Sequence, residues 1–148
     1  MRRRQTMAEE WLIVTDLSGM ACARRLPRGS GVLLLADLPA RELRRLRLLA
    51  QQRGLAVITE RSGEAARVHN RHELRSALLR RVPVILLSPM YPTASHPGWQ
   101  PIPRMRAAAM ARLSRRKLIA LGGMNRKRYA AVAQLGFVGW AGISAFRT

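Results

Sequence analysis

The chain has 148 residues, 48% of them apolar, which is enough for one domain with its own core and argues against disorder as the default. It carries 27 Lys and Arg against 8 Asp and Glu, formally +19, yet aromatics are only 5% and do not interleave with the basic residues, so a stacking platform for single strands is poorly supported. No apolar run reaches membrane-spanning length, and the single cysteine, Cys22, cannot form an internal disulfide, which fits a reducing cytoplasm.

Residues 1–10, opening on Met1-Arg2-Arg3-Arg4, read as a flexible basic tail without the apolar segment and cleavage site of a secretory signal. One domain, 11–148, follows. Trp11 to Asp16 is a first buried strand ending in a polar pair, and Leu17 to Arg28 holds one small helix. Gly31 to Asp37 is a second strand. The helix from Pro39 to about Arg53 sets Leu43, Leu46, Leu49 and Ala50 on one face and is stopped by Gly54. Leu55 to Glu60 is a third strand and Ala65 to His69 a weaker fourth. A helix spans about Arg71 to Arg81.

The next strand starts at Val84 and stops at Ser88-Pro89. It opens a loop rich in proline and hydroxyls, Met90 to Trp99, which holds the chain's only Thr-x-Ser-His, Thr93-Ala94-Ser95-His96. The residues alone are compatible with a proline-shaped turn or with a loop that presents polar groups at a strand's carboxyl end. A helix from Pro103 to Arg115 follows, then a strand, Lys117 to Leu121, closed by Gly122-Gly123. Asn125 caps a helix through Leu135. Phe137 to Ala141 is a seventh strand, followed by Gly142-Ile143-Ser144.

Strands alternating with helices give an α/β fold with parallel pairing. It is either an open doubly wound sheet or a (β/α) barrel. Eight-unit barrels need at least about 200 residues, so seven strands in this length make a trimmed TIM-type barrel. No acidic residue follows Glu73, which leaves a purely basic second half. Attraction of small phosphorylated substrates and a compositional bias toward arginine explain that charge better than nucleic acid, which is the outside reading.

The loop Ser88-Pro89-Met90-Tyr91-Pro92-Thr93-Ala94-Ser95-His96 resembles the Gly-Pro-[Val/Ile]-Phe-x-Thr-x-[Thr/Ser]-Lys loop of the thiamine phosphate synthase/TenI family. Ala120-Leu121-Gly122-Gly123-Met124 resembles that family's Ala-Ile-Gly-Gly-[Ile/Met] strand end, Leu135 to Ala145 its last strand, and Trp11 to Asp16 its opening strand. The resemblance implies a (β/α)₈ barrel that couples hydroxymethylpyrimidine diphosphate to thiazole phosphate, releasing diphosphate with the help of Mg²⁺. It implies a phosphate cradle of backbone amides at Gly122, Gly123, Gly142, Ile143 and Ser144. Thr93 and Ser95 match hydroxyls on the thiazole side, and His96 stands in place of a diphosphate-contacting lysine.

The chain also departs from the pattern. Leu33 to Asp37 lacks the pyrimidine diphosphate residues of the family's second strand. Thr59-Glu60-Arg61 is a near match to Asn-Asp-Arg, which makes Glu60 the candidate metal ligand and Arg61 a candidate diphosphate contact. Arg67 to Leu74 aligns with the family's fifth unit, so the fourth βα unit is deleted. His69 matches the strand-end histidine that the TenI branch uses in thiazole tautomerisation; a histidine hydrogen-bonded at a strand end is the structural alternative. The leading expectation is a synthase-like protein. A TenI-like tautomerase and a non-catalytic thiazole phosphate-binding descendant are the alternatives. Strand edges exposed by the deletion invite homodimerisation or covering by the tail.

Overall fold

The short apolar runs of the chain alternate in burial only weakly, because strands sandwiched between a barrel lumen and an outer helix layer are buried on both faces. Val84–Leu87 shows this plainly: all four residues are buried, with Leu86 in the lumen and Leu87 under the helices. The computed structural model describes residues 8–94, 96–115 and 117–147. The strands are β1 (Glu10–Val14), β2 (Gly31–Leu34), β3 (Ala56–Thr59), β4 (Ala65–Val68), β5 (Val84–Leu87), β6 (Leu118–Leu121) and β7 (Gly139–Gly142); the helices are α1 (Met20–Ala23), α2 (Ala40–Arg53), α3 (Arg71–Leu79), α4 (Arg104–Leu113) and α5 (Arg126–Val132). Single 3₁₀ turns lie at Leu17–Gly19, Ala133–Leu135 and Ser144–Phe146.

All seven strands run parallel in one sheet, in the order β3-β2-β1-β7-β6-β5-β4. The sheet curls into a barrel that is closed everywhere except between β3 and β4. This is the trimmed TIM-type barrel expected from the sequence, and its seam lies where the reading puts the missing unit. The two edge strands are joined by residues 60–64 alone, with no helix between them. β3 is accordingly the least buried strand.

The lumen is packed rather than hollow. Trp11, Ile13, Leu33, Val84, Leu86, Ile119 and Ala141 form one buried cluster, each large side chain contributing roughly 1.5–3 kcal/mol on burial. Trp11 lies across the floor of the barrel and donates its Nε1–H to the Ala8 carbonyl at 2.9 Å. A side chain at residue 31 would meet the Trp11 ring at 2.2 Å, which is why glycine opens β2. Ala8 is buried and the Glu9 carbonyl accepts from the Trp140 amide at 2.8 Å. Residues 8–10 are therefore part of the barrel, and the domain begins ahead of the Trp11 boundary read from the sequence; residues 1–7 lie outside the described part. Two further clusters sit outside the strands, one under α3, α4 and α5, the other under α1 and α2. No helix among the described residues is long and apolar enough to cross a membrane.

Candidate functional site

The carboxyl ends of β4, β5, β6 and β7 converge on a cleft of about 460 Å³, within the roughly 300–1,000 Å³ of small-ligand sites. Its most constrained member is His69, directly after β4. Asn70 caps α3, its side-chain oxygen accepting from the Glu73 amide at 2.8 Å. Glu73 reaches back to accept from the His69 amide at 2.8 Å. Such a reciprocal box satisfies orphan amides of the first turn; here it also fixes the backbone that carries the histidine.

The imidazole is held from the neighbouring strand. Nδ1 lies 3.0 Å from the Ser88 carbonyl oxygen and 3.1 Å from Ser88 Oγ. A carbonyl oxygen only accepts, so the Ser88 carbonyl suits the tautomer with its proton on Nδ1, in which Nε2 carries the lone pair, whereas the Ser88 hydroxyl can pair with either tautomer. Ser88 is buried and precedes a cis peptide bond to Pro89. The Trp99 ring meets His69 edge-on at 5.4 Å and stacks on His96 at 3.9 Å, 8° from parallel. His96 is thus one layer of an aromatic stack at the cleft's mouth, and Thr93 lines the cleft beneath it. Ser95 lies outside the described residues.

The opposite wall is backbone. Gly122 and Gly123 have φ of 102° and 61°, the left-handed region in which side chains are strained. A side chain at 122 would meet Pro89 Cα at 2.9 Å, and one at 123 the Pro92 carbonyl at 2.6 Å. The close approach is zipped by the Met90 amide donating to Leu121 at 3.0 Å and the Tyr91 amide to Gly122 at 3.1 Å. Arg128 pins it from outside, donating to the Gly123 carbonyl and lying 4.6 Å over the Tyr91 ring. These glycines serve loop packing directly. The amides of Gly123, Met124, Ile143 and Ser144 donate to no backbone carbonyl among the described residues. Gly122, Gly123, Gly142, Ile143 and Ser144 all line the cleft.

The structure separates two expected residues from the others. Arg61 is exposed, pairs with Asp37 and lines a different cleft over β2 and β3. Glu60 lines that same cleft, and its carboxylate is engaged by Arg67, with Nη2 to Oε1 at 3.2 Å and Nε to Oε2 at 2.9 Å. A lone carboxylate already paired with a guanidinium does not fit Mg²⁺, which binds through free carboxylate oxygens. Asp37 is committed to Arg61, and Asp16 accepts from the Ser18 amide and hydroxyl. That hydroxyl, first, and the neighbouring amides hold the Asp16 carboxyl below its ordinary value. No group of three His, Cys, Asp or Glu is gathered among the described residues.

Sequence reasoning missed Ser88, Arg67, Thr15 and Arg147, all of which line the cleft. The alternation along β4 was the signal for Arg67, two residues before His69 on the same face. Nothing in the sequence pointed to Ser88, whose role depends on β4 pairing with β5.

The chain's fold resembles solved structures at low identity. A thiamine phosphate pyrophosphorylase from Pyrococcus furiosus superposes with a TM-score of 0.76 at 16% identity, covering 97% of this chain and 89% of that one. One from Bacteroides thetaiotaomicron gives 0.63 at 15%, covering 94% and 84%. No curated protein sequence matches. A profile of the family described as thiamine monophosphate synthase matches residues 39–146, a span that contains the His69 strand end, the Thr93 loop and both amide-bearing turns, and the chain belongs to that family.

Proposed function

We propose that the cleft binds thiazole phosphate and that His69 moves a proton on the bound thiazole, a tautomerase reaction of the TenI type. The observation that carries this reading is the Nδ1 tether to Ser88: in the Nδ1–H tautomer Nε2 is a proton acceptor on the same cleft that Gly123 and Ser144 line. In the reaction Nε2 takes a proton from one ring position and returns it at another. The imidazolium formed in between keeps its Nδ1–H on the Ser88 carbonyl, so the tether serves both states. Amides at Gly123, Met124, Ile143 and Ser144 supply donors to the phosphate, and the Trp99–His96 stack covers the ring. Histidine suits this work because its pKa lies near neutrality.

Synthase chemistry is the second reading, favoured by the match to the synthase family over 39–146. Its difficulty is local: Glu60 and Arg61, the residues it needs for metal and diphosphate, are paired with Arg67 and Asp37. Two incubations decide between them. Protein with the thiazole tautomer phosphate should yield the aromatic thiazole phosphate, and His69→Ala should stop it while retaining ligand binding. Formation of thiamine phosphate from hydroxymethylpyrimidine diphosphate, thiazole phosphate and Mg²⁺ would replace the tautomerase reading by the synthase one.

A further inference from the structure

We infer that Arg67, rather than a divalent metal, supplies the positive charge for the ligand's phosphate, facing it from the β4 side of the cleft while the amides of Gly123, Met124, Ile143 and Ser144 approach from the other. The inference rests on the reading of the cleft as a site for a phosphorylated ligand. Along β4, Ala65 packs in the lumen while Ala66 and Val68 pack under the helices. Strand alternation therefore turns Arg67 inward, and it lines the cleft two residues below His69.

An arginine at an open seam would be mobile unless held. Glu60 holds it from the β3 edge, across the gap that no backbone hydrogen bond closes, with the two contacts at 3.2 and 2.9 Å. Glu60 Oε2 is buried and lies out of line with any donor, so the Nε contact is Coulombic and Oε1 takes the hydrogen bond. The pair uses one edge of the guanidinium. Nη1 makes no hydrogen bond among the described residues, and the side chain, 45% exposed, lines the cleft. A planar fork clamped on one edge presents the remaining donors in a fixed direction, which suits phosphate or carboxylate oxygens.

The same geometry explains why a metal is not needed. A carboxylate neutralised by a guanidinium is a poor ligand for a divalent ion, and the chain holds no acidic residue beyond Glu73 to replace it. The seam thus carries one partly exposed ion pair whose cation faces the ligand and whose anion serves as its anchor.

Titration calorimetry with thiazole phosphate and with inorganic phosphate as probes, each in EDTA and in millimolar Mg²⁺, tests this. The wild-type affinity should change less than about twofold with Mg²⁺. Arg67→Ala should weaken binding by about tenfold or more, and Arg67→Lys by less; Glu60→Gln, which keeps an Oε1 acceptor for Nη2 but loses the charge contact at Nε, should also weaken it by less than Arg67→Ala. Circular dichroism confirms that each variant is folded, and Arg71→Ala on the helix surface controls for net charge. A Mg²⁺-dependent gain of tenfold or more that vanishes in Glu60→Gln would overturn the inference, as would wild-type affinity in a folded Arg67→Ala protein. If the wild type ignores thiazole phosphate but binds inorganic phosphate, the thiazole reading fails alone, and the loss or retention of phosphate binding in Arg67→Ala still decides the role of Arg67.

Discussion

The two sides of the barrel mouth are built on different principles. On the β5–β6–β7 side the sheet is continuous, and the loops after β5 and β6 are hydrogen-bonded to each other through Met90 and Tyr91. That wall is rigid backbone, and its functional groups are amides. On the β2–β3–β4 side the sheet has a seam, β3 is half exposed, and the functional groups are long charged side chains in pairs, Arg67 with Glu60 and Arg61 with Asp37. Charged residues on free strand edges discourage edge-to-edge pairing with other chains. The seam between β3 and β4 therefore leaves that half of the mouth as surface, where the carboxylates of Glu60 and Asp37 pair with arginines. His69 stands at the junction, rooted in β4 at the seam but fastened to Ser88 on the continuous side.

The comparison can be broken most forcefully at that junction. Replacing His69 by alanine should lower the proposed tautomerase rate by about 10²-fold or more, with little change in thermal stability, since the side chain is exposed to the cleft. Equal loss of activity and of folding would show that the histidine is structural. Next in size is a pair of glycine substitutions. Gly123→Ala faces both a left-handed φ and the Pro92 carbonyl at 2.6 Å, and should cost about 2 kcal/mol or more in chemical denaturation. Gly63→Ala, in the seam turn, also has a positive φ of 79° but nothing within 4 Å, and should cost only about 1 kcal/mol. Equal costs would mean that the two walls do not differ in rigidity.

The helix caps sharpen the contrast further. Asn70→Ala and Asn125→Ala each remove an oxygen that accepts from the third helical amide at 2.8 Å, so each should lose about 1 kcal/mol of stability. Only Asn70→Ala should also lower kcat, because the box it forms with Glu73 positions His69. A smaller effect is expected from Arg61→Ala, which should change stability by no more than about 0.5 kcal/mol and leave thiazole phosphate affinity unchanged in calorimetry, since its pair with Asp37 stands apart from the cleft. The subtlest test concerns Tyr129. Its hydroxyl donates to the Phe137 carbonyl at 3.4 Å, and burial, with a lesser push from Glu9, raises its pKa above the ordinary 10.0. The unfolded chain ionises first, so this contribution is complete below pH 10 and falls as pH rises toward the folded value. Denaturation midpoints for Tyr129→Phe should decline less steeply above pH 10 than those of the wild type.

Much of this molecule is decided locally. Val84–Leu87 stops where Ser-Pro ends the apolar run, Asn125 caps the helix it precedes, and Gly122-Gly123 closes β6; each depends on a few neighbouring residues, and each was legible in the chain. So were the parallel α/β class and the count of seven strands, because apolar runs of strand length alternate with helical ones. Burial, pairing and direction across the barrel were not. Glu60 and Arg61 look like site residues beside the family's motif, yet which way they turn depends on a seam between strands adjacent in sequence but unpaired in space. Arg67 had no role in the sequence reading, and its place two residues before His69 on one face of β4 gains meaning only once the barrel gives that strand an inner side. Ser88 acquires its role only because β4 lies in register with β5, Val68 opposite Leu87, which sets the next residues, His69 and Ser88, within hydrogen-bond reach. Local rules act over a few residues through backbone geometry, whereas the tether that orients His69 joins residues 19 apart in sequence, and only the pairing of β4 with β5 brings those together.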